Sequence, residues 1–203
     1  MQITIFGASG SVGQYLIDEA IKRGHQVIAV SRDHNRIKNP NVKAMSVEYD
    51  DPYSLDLTLK GSEVAIISLG DYHVVQPTEA IIMAMKRQNV KRVEILTGFG
   101  TSSISRRKLN PLMKVTMQGV RLLAYAGFKS KEAQDQLTRN SGLVYTIIQP
   151  PTLTFGSPTG TYRHGDYKGK SIFGKLSRAD LAEFMISNLE KNRYINESVY
   201  VQQ

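Results

Sequence analysis

The chain has 203 residues, and because 26 are Lys or Arg and 18 are Asp or Glu its net charge is +8. Cysteine is absent, which excludes disulfide bridges, zinc sites built on thiolates and cysteine nucleophiles. The basic residues are dispersed and form no nucleic-acid motif, so we expect a solvated basic surface without a nucleic-acid partner. No apolar run approaches the ~20 residues of a membrane span and no signal peptide is evident, so we expect a cytoplasmic protein without a membrane partner.

Short apolar runs alternate with helix-patterned segments through the first half of the chain. The helix after the first run is expected to end at Gly24, and later helices are expected over 54–61 and 77–90. Continuous apolar strands alternating with helices indicate a doubly wound parallel sheet with helices on both faces, a Rossmann-type α/β fold. The predicted strands of this half are 3–6, 26–32, 42–47, 63–70 and 92–100.

The second half is less regular. We expect a polar loop over 101–111 and then a long helix over 112–140, broken near Gly127. Residues 157–171 lack a core pattern and are compatible with a hairpin that turns at Gly165 and Asp166. Ser177 and Asp180 match a capping box that begins a helix. The remaining predictions are strands over 143–151 and 197–202, a helix over 176–190, and a small substrate lobe from 151–176 within one domain spanning 1–203.

The stretch GASGSVG, residues 7–13, lies between the first strand and the first helix. A strand that turns directly into a helix exposes free N–H groups and the positive end of the helix dipole, which attract an anion. Gly7 allows a positive φ, Gly10 lets the backbone approach a phosphate, and Gly13 lets the helix pack close to the strand. The spacing is not the usual G-x-G-x-x-G, and a purely structural turn is the alternative. The predicted cofactor contacts here are Gly7, Ser9, Gly10, Ser11, Val12 and Gly13.

The end of the second predicted strand bears on the choice between NADP and NAD. NAD sites usually carry an acidic residue there to bind the ribose 2′-hydroxyl. Here Arg32 stands in that place, with Arg36 one helical turn later, and a guanidinium suits a 2′-phosphate. We therefore expect NADP (as NADPH). In the alternative reading, Arg32 is a surface residue and Asp33 binds the ribose of NAD.

Other strands of such a sheet also end at the cofactor, since ligands bind outside the carboxyl ends of the strands. Gly70 permits close passage of the backbone, and residues 97–100 are expected beside the nicotinamide. The further predicted cofactor contacts are Asp50, Ser68, Leu69, Gly70, Thr97, Gly98 and Pro150.

Five segments together resemble the atypical short-chain dehydrogenase/reductase family, in its NAD(P)H-binding, NmrA-like branch. Within that branch the chain is most similar to the flavin reductase/biliverdin-IXβ reductase type and to bacterial NADH-flavin reductase-like proteins. The resemblance implies a sheet of seven or eight strands, NADP bound across its edge, and hydride transfer to a flavin, a quinone or a similar planar molecule. The segments are GASGSVG (7–13), SRD (31–33), SLG (68–70), SGLVYTIIQPP (141–151) and LSRADLAEFMI (176–186).

The chain departs from these relatives where they place polar groups near the acceptor. Gly98 stands in place of a Ser, and Lys131 and Thr152 stand in place of two His, so the proton donor is not carried over. Tyr125, followed four residues later by Lys129, fits the Y-x-x-x-K pair of short-chain dehydrogenases. Tyr125 and Lys131 are thus the catalytic candidates. For Lys131 the alternative is a surface ion pair with Asp135, four residues along the helix.

A planar acceptor is predicted to contact His73, Phe99, Phe155 and Tyr162, although each aromatic ring is also compatible with plain packing. The spacing of the four histidines gives no metal site. Two other functions stay open. The first is a non-catalytic NAD(P)-binding redox sensor that acts through a protein partner, and the second, weaker one is an epimerase acting on a nucleotide sugar. We expect a monomer or a homodimer.

Overall fold

A computed structural model of the chain describes residues 1–70, 72–166 and 171–203. Its centre is an eight-stranded sheet with the order β3-β2-β1-β4-β5-β6-β10-β8. All neighbours in this sheet are parallel except β8, which runs antiparallel to β10 at one edge, while β7 and β9 form a separate parallel pair. The strands are β1 Gln2–Phe6, β2 Gln26–Ser31, β3 Lys43–Ser46, β4 Val64–Ile67, β5 Arg92–Leu96, β6 Val144–Gln149, β7 Thr152–Thr154, β8 Arg163–Gly165, β9 Lys175–Ser177 and β10 Glu197–Gln202.

Helices cover both faces of the sheet, as the alternating pattern predicts. On one face α1 packs against α7, and on the other α3 packs against α2 and α6. The chain therefore has the doubly wound, Rossmann-type α/β architecture. The helices are α1 Ser11–Lys22, α2 Pro52–Leu59, α3 Val75–Arg87, α4 Ser103–Arg106, α5 Pro111–Leu123, α6 Tyr125–Arg139 and α7 Arg178–Glu190.

Strand β1 shows why the apolar runs are continuous. Successive side chains of a strand point to opposite faces, and here both faces are buried. Ile3 and Ile5 belong to the core beneath α1 and α7, whereas Phe6 belongs to the core beneath α2 and α3. The hydroxyl of Thr4 is also buried and donates to the carbonyl oxygen of Thr58 at 2.8 Å, so its polarity is satisfied.

Three local predictions differ from the structure. The long helix breaks at Ala124, where φ is −111° and ψ is 37°, and Gly127 lies inside α6. The predicted loop over 101–111 contains the short helix α4. The segment that suggested a hairpin contributes β8, which includes the predicted turn residue Gly165 and pairs with β10 at the end of the sheet. Residues 167–170 of that segment lie outside the described residues.

Two strands end earlier in the structure than the sequence predicts. β4 ends at Ile67 and β5 ends at Leu96, so residues 68–70 and 97–100 leave the sheet as loops. These loops project from the carboxyl edge of the parallel strands, where ligands bind in folds of this kind. Among the helices of the described residues, none combines the length and the apolar character required to cross a membrane.

Candidate dinucleotide-binding site

The loop between β1 and α1 is held tightly against its neighbours. The backbone N–H groups of Gly7 and Ala8 both donate to the carbonyl oxygen of Val30, at 3.1 and 3.0 Å. Gly7 has a φ of +81°, and a Cβ there would lie 2.2 Å from the carbonyl oxygen of Ser68. A Cβ on Gly13 would lie 2.3 Å from the carbonyl oxygen of Gly7. Side chains at these two positions would therefore push the loop away from β4 and from α1.

The N-terminus of α1 is left open to a ligand. Gly10 occupies the N-cap position and offers no side-chain acceptor to the N–H groups of the first turn. The hydroxyl of Ser9, 2.6 Å from that of Ser31, faces the same region. A cavity of about 940 Å³ adjoins the loop, and Ser9, Gly10, Ser11, Gln14, Arg36, Lys38 and Phe155 are among its lining residues. Free N–H donors beside two cations fit the diphosphate of a dinucleotide.

Arg32 and Asp33, the two residues considered for the ribose, have different contacts at the end of β2. The carboxylate of Asp33 accepts from the N–H of Asn35 at 3.0 Å and so caps the short turn over His34–Arg36. Arg32 and Arg36 are both exposed. Burial raises the pKa of Tyr49 to about 12, and the nearby charge of Arg32 opposes that shift, which puts the guanidinium near the ends of β2 and β3. Asp50 is exposed in the turn after β3.

Lys131 is buried, with only 5% of its surface exposed, so the prediction of a surface ion pair with Asp135 is wrong. Its ammonium donates to the carbonyl oxygens of Leu69 at 3.0 Å and Leu96 at 3.3 Å, and to the side-chain oxygen of Gln134 at 3.3 Å. Asp135 instead pairs with Arg139 at 2.7 Å. The positive charge of Lys131 therefore lies where β4 and β5 end.

The loops after β5 and β6 are joined by backbone hydrogen bonds. Thr97 donates to the carbonyl oxygen of Ile148 at 3.0 Å, and Phe99 donates to that of Pro150 at 2.9 Å. A second cavity, of about 410 Å³, opens at this edge. Its lining combines apolar and polar surface and consists of Thr97, Gly98, Phe99, Met117, Val120, Pro150, Pro151, Thr152, Leu153, Ile172 and Arg178.

Among the predicted catalytic and substrate residues, Tyr125, His73 and Tyr162 do not line either of these cavities. Tyr125 is exposed at the start of α6, with the ammonium of Lys129 5.9 Å from the centre of its ring. His73 is exposed, with a φ of 56°, in the loop before α3. Tyr162 packs edge-on against Phe184 and donates its hydroxyl hydrogen to Glu183, in a separate depression beside α7. Their predicted catalytic and substrate roles stay predictions.

Arg178 is a site residue that sequence reasoning missed. The Ser177 hydroxyl accepts from the N–H of Asp180 at 3.0 Å, as the capping box predicts, and Arg178 follows that cap. Its Nε donates to the hydroxyl of Ser11 at 3.1 Å, and its guanidinium lies 3.9 Å from the centre of the Phe155 ring. Its buried Nη1 has no hydrogen-bond partner among the described residues. The sequence does not show that α7 packs beside α1, so only a basic residue after a cap was visible.

The family comparison agrees with this geometry. Residues 7–192 match the model of a family described as NAD(P)H-binding, and the chain belongs to that family. The solved structures to which the chain is similar share its Rossmann-like fold. Among the described residues, no group of three or more His, Asp or Glu is placed to hold a metal ion.

Particular relatives are distant. The uncharacterized protein YwnB of Bacillus subtilis is 26% identical over 97% of this chain and 96% of its own length. ChuY, an anaerobillin reductase of Escherichia coli O157:H7, is 18% identical with a TM-score of 0.80, over 100% of this chain and 97% of ChuY. A short-chain dehydrogenase/reductase of Veillonella parvula, solved in complex with NADP, is 17% identical with a TM-score of 0.79, over 100% of this chain and 94% of its own. The last two similarities show the fold.

Proposed function

We propose that the protein is an NAD(P)H-dependent reductase that prefers NADPH and passes hydride to a flavin, a quinone or a similar planar molecule. The observation that carries the proposal is the position of Arg178. Its side chain reaches the loop of residues 7–13, which we call the cradle, through Ser11 and also lines the cavity at the ends of β5 and β6. A cofactor site and an acceptor-sized cavity therefore adjoin, as hydride transfer requires.

The residues of the cradle fit the diphosphate. The open first turn of α1 would accept it, and the unpartnered Nη1 of Arg178 would donate to it. Arg32 and Arg36 would hold the 2′-phosphate that distinguishes NADP from NAD. The bound nicotinamide supplies the hydride, and the chain supplies binding, orientation and electrostatics.

The lining of the proposed acceptor cavity suits a planar molecule that has both apolar and polar groups. Phe99, Leu153 and Ile172 provide apolar surface, while Thr97 and Thr152 provide hydroxyl groups. A flavin or a quinone takes up one hydride and one proton, and water can deliver the proton, so no dedicated acid is needed at the ring. We propose that the buried ammonium of Lys131 stabilises negative charge as the acceptor is reduced.

Turnover assays test this function. NADPH and NADH binding is titrated by fluorescence, and NADPH oxidation is then followed with FMN, riboflavin and a soluble quinone. We expect NADPH to bind more tightly than NADH and at least one acceptor to be reduced. Tight NADPH binding without turnover of any acceptor would support the redox sensor instead. If neither nucleotide bound, both functions would be contradicted.

A further inference from the structure

Helix α5 exposes most of its apolar surface. Met117 is its only buried residue among those described. Leu112 is 77% exposed and Leu123 is 91% exposed, with Val115 and Leu122 also strongly exposed. With 3.6 residues per turn, these four side chains fall within an arc of about 100° and so share one face of the helix. We call Leu112, Val115, Leu122 and Leu123 the α5 apolar face.

Basic residues lie on one flank of this face. From Gly98 to Lys131 the chain contains seven Lys or Arg and neither Asp nor Glu. A depression of about 320 Å³ beside α5 is lined by Arg106, Arg107 and Lys114, together with Ser103, Leu109, Met117 and Gln118. Arg106 is held by Glu132. Within the described parts of the chain, Arg107 and Lys114 have no ion-pair partner, so their charges are available to an anion.

We propose that the α5 apolar face and this basic depression dock the protein on the surface of a bilayer that contains anionic phospholipids. An amphipathic helix with leucines on one side and basic residues beside them lies in the membrane interface, and anionic lipids strengthen its binding. The depression fits a lipid phosphate, because two cations without carboxylate partners line it. Tyr125, exposed just after α5, is a residue type that favours the interface.

Charge argues against a second copy of the chain as the occupant. Two molecules that met through their α5 apolar faces would place Arg107 and Lys114 of each copy beside the contact. Neither residue has a carboxylate partner among the described residues, whereas Arg121 is paired with Glu132 at 3.6 Å, so Arg107 and Lys114 of the two copies would repel one another. The exposed side chains also project from a single helix, which suits a deformable lipid layer.

The experiment is co-sedimentation of the full chain with vesicles. One set contains phosphatidylcholine alone, and the other contains equal parts of phosphatidylcholine and phosphatidylglycerol. We expect binding to the anionic vesicles that weakens as salt is raised, and little binding to the neutral ones. The double variant Leu112→Ser/Leu123→Ser should lower the partition coefficient at least about tenfold, because two inserted leucines are lost.

Charge variants and a matched control complete the test. Arg107→Gln and Lys114→Gln should each reduce binding to anionic vesicles about fivefold, because each removes the attraction of one cation to the anionic surface. Tyr53→Ser removes a side chain that is just as exposed but lies on α2, away from α5, and should leave partitioning unchanged. Thermal unfolding and NADPH titration confirm that each variant is folded.

Two results would overturn the proposal. One is equal sedimentation of wild type and the double variant with anionic vesicles. The other is the absence of vesicle binding together with a wild-type dimer, seen by sedimentation velocity, that Leu112→Ser/Leu123→Ser converts to a monomer. That second result would identify another copy of the chain as the occupant of the face. NADPH binding does not depend on either outcome, so the proposed reductase is tested separately.

Discussion

Arg32 is exposed at the end of β2, near Tyr49. Replacing it with Ala should weaken NADPH binding by about 1.5–3 kcal/mol, because that is the usual contribution of a hydrogen bond to a charged group. NADH lacks the 2′-phosphate, so its affinity should change little. Fluorescence titration with both nucleotides measures the difference. Equal losses for the two would contradict the assignment of Arg32 to the 2′-phosphate.

Arg178 contacts the cradle through Ser11, and its replacement should affect the two nucleotides differently from that of Arg32. Arg178→Met keeps a long apolar side chain against Phe155 but removes the donors near Ser11. Because the diphosphate is common to both nucleotides, NADPH and NADH should each bind about 1.5–3 kcal/mol more weakly. Arg178→Lys should restore part of the loss in the same titration. A loss confined to one nucleotide would rule out a diphosphate contact.

At this scale the sequence reveals residue types but not always their partners. Gly7 and Gly13 were predictable, because a strand that turns directly into a helix restricts the backbone in a known way. Lys131 was not, since K-x-x-x-D spacing on a helix usually marks a surface ion pair. Only the packing of α6 against the ends of β4 and β5 buries its ammonium.

Among the helices, glycine has opposite consequences in α1 and α5. A methyl group on Gly13 meets the backbone of Gly7 and Ala8, at 2.3 and 2.7 Å, whereas at Gly119 nothing lies within 4 Å. Gly13→Ala should therefore lower the free energy of unfolding by about 1–3 kcal/mol through overpacking. Gly119→Ala should raise it by about 0.5–1 kcal/mol, because Ala favours a helix. Urea denaturation measures both, and a stabilised Gly13→Ala would contradict the close packing of α1.

The contact between β5 and α7 contains a buried carboxyl group. Glu94 is fully buried, and burial raises its pKa to about 8 despite the nearby charge of Arg92. The Asn188 amide donates to Glu94 Oε1 at 2.5 Å, while Glu94 Oε2 and Asn188 Oδ1 have no partner among the described residues. A carboxylate without a partner on Oε2 is costly to bury, which favours the protonated, neutral form.

This carboxyl group predicts stability that falls as pH rises. Glu94 ionises near pH 4.3 in the unfolded chain but holds its proton to about pH 8 in the folded protein. Between those values the unfolded state binds fewer protons, so the free energy of unfolding should decrease as pH rises, with a slope of at most about 1.4 kcal/mol per pH unit. Urea denaturation at several pH values measures the slope. Glu94→Gln should flatten it, whereas Glu79→Gln, on the exposed side of α3, should not.

Elements were predictable where periodicity alone determines them. The buried strands and the α7 helix follow from continuous apolar runs and a capping box. Helix propensity predicts the break between α5 and α6 at Gly127, because Gly is a poor helix former and Ala is the best. The structure has the break at Ala124. The exposure of the α5 apolar face was not foreseen, since such a face usually packs on a core.

For the whole molecule, the sequence was enough to predict the α/β class, since strands buried on both faces need helices on both sides. It was not enough to locate the cavity that we propose for the acceptor. That cavity is formed by residues far apart in the chain, from Thr97 to Arg178, which only the completed sheet brings together.

Acidic residues are unevenly distributed along the chain, so one stretch carries most of the net positive charge. The segment from 98 to 131 carries +7 of the net charge of +8, so the remaining 169 residues together carry only 8 − 7 = +1. Glu132, just after this segment, pairs with Arg106 and Arg121, and the unpaired cations that remain beside α5 attract anions before contact. A polyanion that approaches from solution would thus be drawn first towards α5, whose Met117 and Val120 border the acceptor cavity. Electrostatics would orient each encounter before any single side chain touched its ligand.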